Sequence, residues 1–334
     1  MARPGLILGL LVALLLLALP GLAELADRGY AVGVATRILI FGLAGLSLNL
    51  ILGYGGMVSF GHAAFFGAGA YVVGILSHHA TLGEPLLTWP VTIGGSESAL
   101  IAWPAAMLVS GLLALVIGAL SLRTSGLYFI MITLAFAQML YFLFVSLETY
   151  GGDDGLSLWS RSSAGPLDLA DDVQFYYLVL ALVALCLLLK ARLIEARFGM
   201  TLRGIRDNER RMRAIGFPTY RYKLAAFVIA GAVAGLAGAL IANQTEFVSP
   251  AFLDWHRSGE IMVIVILGGM GTLYGPLAGA LVFLLLEELL SAWTEHWMIL
   301  LGPILILVVL FARRGLWGWI ADRFSRPGRE AGDG

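Results

Sequence analysis

Ser59 and His62 lie three residues apart in the chain, and Cys186 is its only cysteine. These are the side chains that could make or break bonds, and neither place offers the partners such chemistry needs. A nucleophile requires a base, and the base requires an orienting group. His62 has no second His or acidic neighbour in sequence, and Cys186 sits in an apolar run with no nearby His. A single cysteine also excludes a disulfide framework or a CxxC metal site. No GxxxxGK[ST] phosphate cradle occurs, so ATP is not hydrolysed here by a P-loop. The acidic run Gly151-Gly152-Asp153-Asp154-Gly155-Leu156 lacks the ligand spacing of a calcium loop. The polar residues therefore point to recognition and coupling rather than catalysis, and the chain is expected not to be an enzyme.

The polar groups concentrate where glycines interrupt apolar runs. Residues 49–71 join two such runs without a charge and include Gly53, Gly55, Gly56, Gly61, Gly67 and Gly69. A break of this kind facing lipid would leave backbone groups unpaired, so it is buried in protein or lines a cavity. Broken helices near the midplane are where transporters present backbone groups to solute. Tyr54, Ser59 and His62 are the side chains on offer. The alternative is close helix packing, with His62 bonded to a carbonyl. A second interruption spans Ile266–Ala280. A shift of 213 residues sets Gly55-Gly56-Met57-Val58-Ser59 on Gly268-Gly269-Met270-Gly271-Thr272. Corresponding breaks in two halves are a pointer to a transporter's site, which adds Thr272 as a candidate. Thr133 and Gln138 are isolated polar residues on the apolar run from Leu127, placed either on the solute path or in interhelical hydrogen bonds.

A different chemistry belongs to residues 193–223. Asp207 reads as an N-cap with Glu209 in the first turn; Arg210, Arg211 and Arg213 suit the C-terminal end of the macrodipole; Gly216 suits the position after the helix, and Pro218 prevents continuation. The pattern predicts a short helix at about 208–215, with Met212 and Ile215 as an apolar edge beside the arginines. Capped at both ends, it reads as a docking surface for a soluble partner. The alternative is a basic loop lying against anionic lipid.

The elements that must hold these segments are membrane helices. Hydrophobic residues make up 59% of the chain and charged residues 13%, with mean hydropathy +0.88, whereas soluble chains carry about 25% charge. The runs are continuous rather than alternating, which argues against a β-barrel. The net charge of −1 offers no bulk attraction to nucleic acid. A span needs about 20 apolar residues, and candidates occur at 5–23, 31–53, 57–78, 99–120, 127–147, 174–192, 224–242, 261–273, 275–291 and 296–312. The expected fold is an all-α polytopic bundle of about ten transmembrane helices, Gly-interrupted near 53–61 and 268–276. The stretch 261–291 reads as two spans with a tight turn, one of them re-entrant in the alternative. The first run reads as a retained span, with a cleaved signal as the alternative. Residues 1–312 are expected to form one transmembrane domain, which includes the loop 193–223, and 313–334 a tail.

Charge sets the orientation. Residues 193–223 carry eight Lys/Arg and 313–334 carry five, and Arg3 and Arg123 flank spans on the same side. The opposite loops, 24–30, 79–98, 148–173 and 243–260, hold only Arg28, Arg161 and Arg257. Both termini are thus expected in the cytoplasm. No span centre carries a clear ionisable residue, which weighs against proton-driven transport.

Taken together, residues 53–71, 126–138, 151–156, 199–227 and 245–280 resemble the permease subunits of branched-chain amino acid ABC importers, specifically the larger, M-type subunit. The most specific pieces are Ser59-Phe60-Gly61-His62-Ala63-Ala64-Phe65 and Ile205-Arg206-Asp207-Asn208-Glu209. The resemblance implies a multi-subunit importer in the bacterial inner membrane: an H-type permease beside this chain, two cytoplasmic ATPases that hydrolyse the ATP, and a periplasmic solute-binding protein. The solute would be an aliphatic amino acid, or urea, a short amide or another amino acid in related systems. No cofactor or metal is implied in this chain. The ATPase-contacting loop maps onto 199–217, which marks Arg206, Asp207, Glu209, Arg210, Arg211, Arg213 and Gly216. Ala214 and Gly216 fit the general coupling loop of ABC importers, but its Glu-Ala-Ala triplet is missing.

Overall fold

The computed structural model describes residues 4–25, 29–87, 93–165 and 168–294, together with 296, 299–303, 306 and 315. The span expected at 296–312 and the tail at 313–334 lie largely outside the described residues. The helices are α1 (Pro4–Leu25), α2 (Tyr30–Asn49), α3 (His62–Leu82), α4 (Ala99–Ser121), α5 (Leu127–Val145), α6 (Asp172–Glu195), α7 (Arg197–Ala214), α8 (Thr219–Thr245), α9 (Trp255–Gly268) and α10 (Gly275–Ser291). A π turn, Leu50–Tyr54, extends α2. Among the described residues, six elements are long and apolar enough to cross a membrane: α2 with its π turn, α3, α4, α5, α6 and α8. The 14 residues of α9 and 17 of α10 give about 21 and 26 Å, short of the ~30 Å of hydrocarbon.

In lipid no hydrophobic force brings helices together, so packing depends on small residues that let backbones approach. The helix α8 occupies the centre for this reason. Its Ala230, Ala234, Gly235, Ala237, Gly238 and Ala239 are buried against α3 and α4. A side chain on Gly69 would overlap the Gly235 carbonyl, and one on Gly238 would overlap that of Phe66. Ser110 of α4 donates to the Phe65 carbonyl at 2.9 Å, and Phe65 meets Phe227 edge-on at 5.4 Å. On the other side of α8, α2 packs against α6, α9 and α10.

The Arg-rich end of the bundle gathers the end of α2, the α4–α5 turn, α7 and the start of α8. Tyr220, in the first turn of α8, donates to the Ala119 carbonyl near the end of α4 at 2.9 Å. At the opposite end, two-residue strands Leu156–Ser157 and Phe247–Val248 pair antiparallel, and His79 meets Tyr150 at 3.1 Å.

The stretch 243–260, expected as an outer loop, is folded into the bundle instead. Glu246 (φ 51°) reverses the chain after α8. The strand follows, and Phe252 and Leu253 then pack on Phe66 and Gly67 of α3. Thus α9 starts six residues before the expected span, beside the first turns of α3 and the middle of α5. Its first turns read Trp-His-Arg-Ser-Gly-Glu, which hides a helix from hydropathy and made Arg257 look like a loop charge. Ionisable residues therefore do lie within the bundle, contrary to the expectation from span centres.

Candidate translocation and coupling site

The two glycine interruptions meet. Asn49, buried in the last turn of α2, donates through Nδ2 to the Thr272 carbonyl at 2.7 Å and accepts from the Gly271 amide at 2.8 Å. One side chain thus satisfies both backbone groups of the α9–α10 turn, as burial demands. A side chain on Gly53 would collide with Asn49 and with Gly271. Thr272 braces the turn into α10: its hydroxyl donates to the Gly269 carbonyl at 2.8 Å and accepts from the Gly275 amide at 3.1 Å.

Arg206 of α7 lies under this junction. Its Nη1 donates to the Gly53 carbonyl at 2.7 Å, and its aliphatic stem covers Gly56. Nη1 is also 3.6 Å from where a side chain on Gly271 would begin. One arginine of the basic helix is therefore bonded to the first interruption and lies close to the second. The same guanidinium pairs with Asp207 at 3.2 Å.

The basic segment is two helices rather than one. Asn208 has extended backbone (φ −159°, ψ 93°) inside α7, and its Oδ1 accepts from the Arg211 amide at 2.9 Å. Asn208, not Asp207, is therefore the N-cap of the short second helix; both residue types can cap, and the bend falls one position later. The second helix ends at Ala214, with Gly216 (φ 91°) in the left-handed position after it. Met212 folds back onto Gly204, bracing the two halves. Glu209 ties the second half to α8. It accepts from Arg213 at 2.5 Å, from Thr219 at 3.1 Å and from Lys223. Burial pushes the Glu209 carboxyl up, but the hydrogen bonds from Lys223, Arg213 and Thr219 outweigh it and hold it below the ordinary carboxylate value. Arg210 and Arg211 make no side-chain contact of this kind among the described residues and are exposed, beside Ile215, which is 63% exposed. A cavity of ≈ 290 Å³ separates this helix from the first interruption, lined by Gly55–Val58, the α4–α5 turn and Ile205–Glu209.

The remaining candidates sit deeper. Ser59, His62 and Thr133 are fully buried, and Tyr54 is nearly so. The Ser47 hydroxyl donates to the Ala44 carbonyl at 2.6 Å and lies 2.7 Å from His62 Nε2. That hydroxyl proton is committed, so Nε2 carries the ring proton and donates, and the buried Nδ1 is an unpaired acceptor. Ser59 accepts from the Gly61 amide at 3.2 Å. Thr133 bonds back to the Ile130 carbonyl at 2.9 Å. Gln138 reaches across to Asp254 at 3.0 Å. Asn49 and Asp254 were missed in sequence: one polar residue in an apolar run resembles ordinary packing, and Asp254 looked like loop. Among the described residues no group of three His, Cys, Asp or Glu could hold a metal ion.

Comparison with known proteins follows the same lines. A model of the family described as branched-chain amino acid transport system / permease component matches residues 30–309. The chain is 31% identical over 316 residues to the high-affinity branched-chain amino acid transport system permease protein LivM of Salmonella typhimurium, covering 87% of this chain and 71% of that protein. It is 31% identical over 330 residues to LivM of Escherichia coli K12, covering 92% and 74%. Over 141 residues it is 28% identical to the permease protein LivH of Escherichia coli K12, covering 42% and 44%. No solved structure matches.

Proposed function

The chain belongs to the family of branched-chain amino acid transport system permease components, and we propose that it is the M-type permease of an importer for aliphatic amino acids. In this proposal an H-type permease shares the path, two ATPases bind at the basic end, and a periplasmic binding protein delivers solute at the other. The basic end faces the cytoplasm of a bacterial inner membrane, as its arginines require, and so do both termini. Urea, a short amide or another amino acid is the alternative cargo.

The observation that carries the proposal is the Arg206 junction. A partner moving the exposed second half of α7 moves Arg206, and Arg206 is bonded to the first interruption and abuts the second. ATP-driven closure would thus reach both breaks through one short lever. Arg210 and Arg211 offer the docking charge, Arg213 and Glu209 hold the lever to α8, and Gly216 lets the chain turn. Tyr54, Ser59, His62 and Thr133 form the wall behind the path, while Gln138 bonds Asp254 at the start of α9. Thr272 sets the turn that Arg206 contacts.

The test is leucine uptake into proteoliposomes holding the full complex, with binding protein outside and ATP inside. Uptake that needs ATP and resists an uncoupler supports the assignment. The carboxylates Asp254 and Glu260 within the bundle are groups that a proton-coupled carrier would use. Uptake by this chain alone, abolished by an uncoupler, would replace the assignment with that one.

A further inference from the structure

The helix α6 packs on α2 along one stripe, Tyr176, Val179 and Val183, while Leu185, Leu188 and Leu189 are exposed. Lys190 falls on the packing stripe, two turns beyond Val183. It is 8% exposed, whereas Arg192 is exposed two residues later. Lys190 therefore does not snorkel to the membrane surface; its ammonium is turned into the bundle. A buried ammonium is costly unless it is paired, and among the described residues no carboxylate pairs with this one. Its partners are the Leu46 carbonyl, to which Nζ donates at 2.9 Å, and the Tyr54 ring, whose centre is 5.6 Å away.

Both partners belong to the first interruption. In a regular helix the Leu46 carbonyl would accept from the Leu50 amide. Here that amide turns to the Ser47 and Leu48 carbonyls instead, as the α ladder passes into the π turn Leu50–Tyr54. Lys190 supplies the donor that the helix has withdrawn, as a buried carbonyl requires. At the far end of the turn the Gly53 carbonyl accepts from Arg206. The interruption is thus held between two cations, and both sit at the C-terminal end of α2, where the macrodipole favours positive charge. The two cations ride on adjoining helices: α6 ends at Glu195 and α7 begins at Arg197, with Ala196 extended between them (φ −69°, ψ 167°). Irregular turns of the π kind are where a helix can adjust without losing its ends, and they occur often at functional sites.

We propose that Lys190 is a positioning residue for transport. Its ammonium fixes the start of the first interruption to α6, so that a displacement of Arg206 is taken up in the π turn between them rather than spread along α2. The turn carries Tyr54 and follows directly on Asn49, which holds the second interruption, so both breaks respond to it. This role rests on the assignment of the chain as an importer permease.

The test uses the full complex in proteoliposomes with binding protein, as Lys190→Met, Arg206→Ala and the double variant. Methionine keeps the length and apolar stem of Lys190 and removes the donor. The expected result is full recovery of the complex, a loss of about tenfold in leucine taken up per ATP hydrolysed for Lys190→Met, and no further loss in the double variant than in Arg206→Ala alone, because both cations act on one turn. A wild-type ratio in Lys190→Met, even with a lowered thermal midpoint, would make Lys190 a packing residue and overturns the proposal. So do losses that multiply in the double variant to about a hundredfold. Amide hydrogen exchange on the wild-type complex tests the same point without a substitution. A non-hydrolysable ATP analogue should change exchange at 50–57 and leave 31–44 unchanged; no change at 50–57 overturns the proposal. A wild-type complex without ATP-driven uptake is a different failure, since it removes the importer assignment itself.

Discussion

Replacing Arg206 by alanine should separate ATP hydrolysis from transport. The guanidinium is the only described side chain that bonds the first interruption from α7, at 2.7 Å to the Gly53 carbonyl. A hydrogen bond from a charged donor contributes ~1.5–3 kcal/mol. Arg206 is 40% exposed, so the lower end applies, and ~1.5 kcal/mol corresponds to about tenfold. The variant also uncovers Gly56, on which the arginine stem lies. Arg210 and Arg211, the exposed charges proposed to dock the ATPases, are untouched, so the ATPases should still co-purify. The assay is leucine taken up per ATP hydrolysed in proteoliposomes, with binding protein present. Arg206→Ala should lower that ratio about tenfold. Arg206→Lys keeps one charged donor but loses the planar fork, and should fall between. An unchanged ratio in Arg206→Ala would refute the lever.

Other substitutions test the packing and the latch. Gly238→Ala should lower the thermal midpoint of the detergent-solubilised protein by ~1–3 kcal/mol equivalent through overlap with the Phe66 carbonyl, whereas Gly33→Ala, with open space around it, should be neutral or stabilising by up to ~1 kcal/mol. Glu209 has a depressed carboxyl in the folded chain, so its contribution is present above the ordinary carboxylate range and is lost as pH falls through the lower folded value. Glu209→Gln should therefore lower the midpoint at pH 7, and the gap from wild type should close on acidification. Ser47→Ala leaves the buried His62 Nε2–H without its acceptor and should cost ~1–3 kcal/mol of stability, with uptake per folded molecule unchanged; reduced uptake at full stability would instead put His62 in contact with solute.

The basic helix was the most legible part of the sequence because its ends are marked by backbone chemistry. Gly216 and Pro218 stop it where the residue types say it must stop. Its start was displaced by one position, since Asp207 and Asn208 are equally able caps and only the bend chooses between them. The first half of α7 was overlooked: its apolar stripe, Phe198, Leu202 and Ile205, is short and is interrupted by Gly199 and Gly204. The pairing of the two glycine interruptions was legible as an offset, but not their contact through Asn49, which depends on the approach of α2 to α10. The start of α9 was hidden for the opposite reason. Hydropathy locates uniformly apolar helices, and the first turns of this one carry His256, Arg257 and Glu260.

The docking of ATPases on α7 is tested most directly by co-purification. The tagged chain is extracted in detergent from its native membrane as wild type and as Arg210→Glu/Arg211→Glu. Arg213 is left intact because it holds Glu209 and Thr219. Recovery of an ATP-binding subunit and a second permease with wild type, and loss of the ATP-binding subunit alone in the variant, is the result an importer permease requires. Equal recovery of the ATPase from both would remove the docking role of the basic helix, and no ATPase from either would contradict the importer itself.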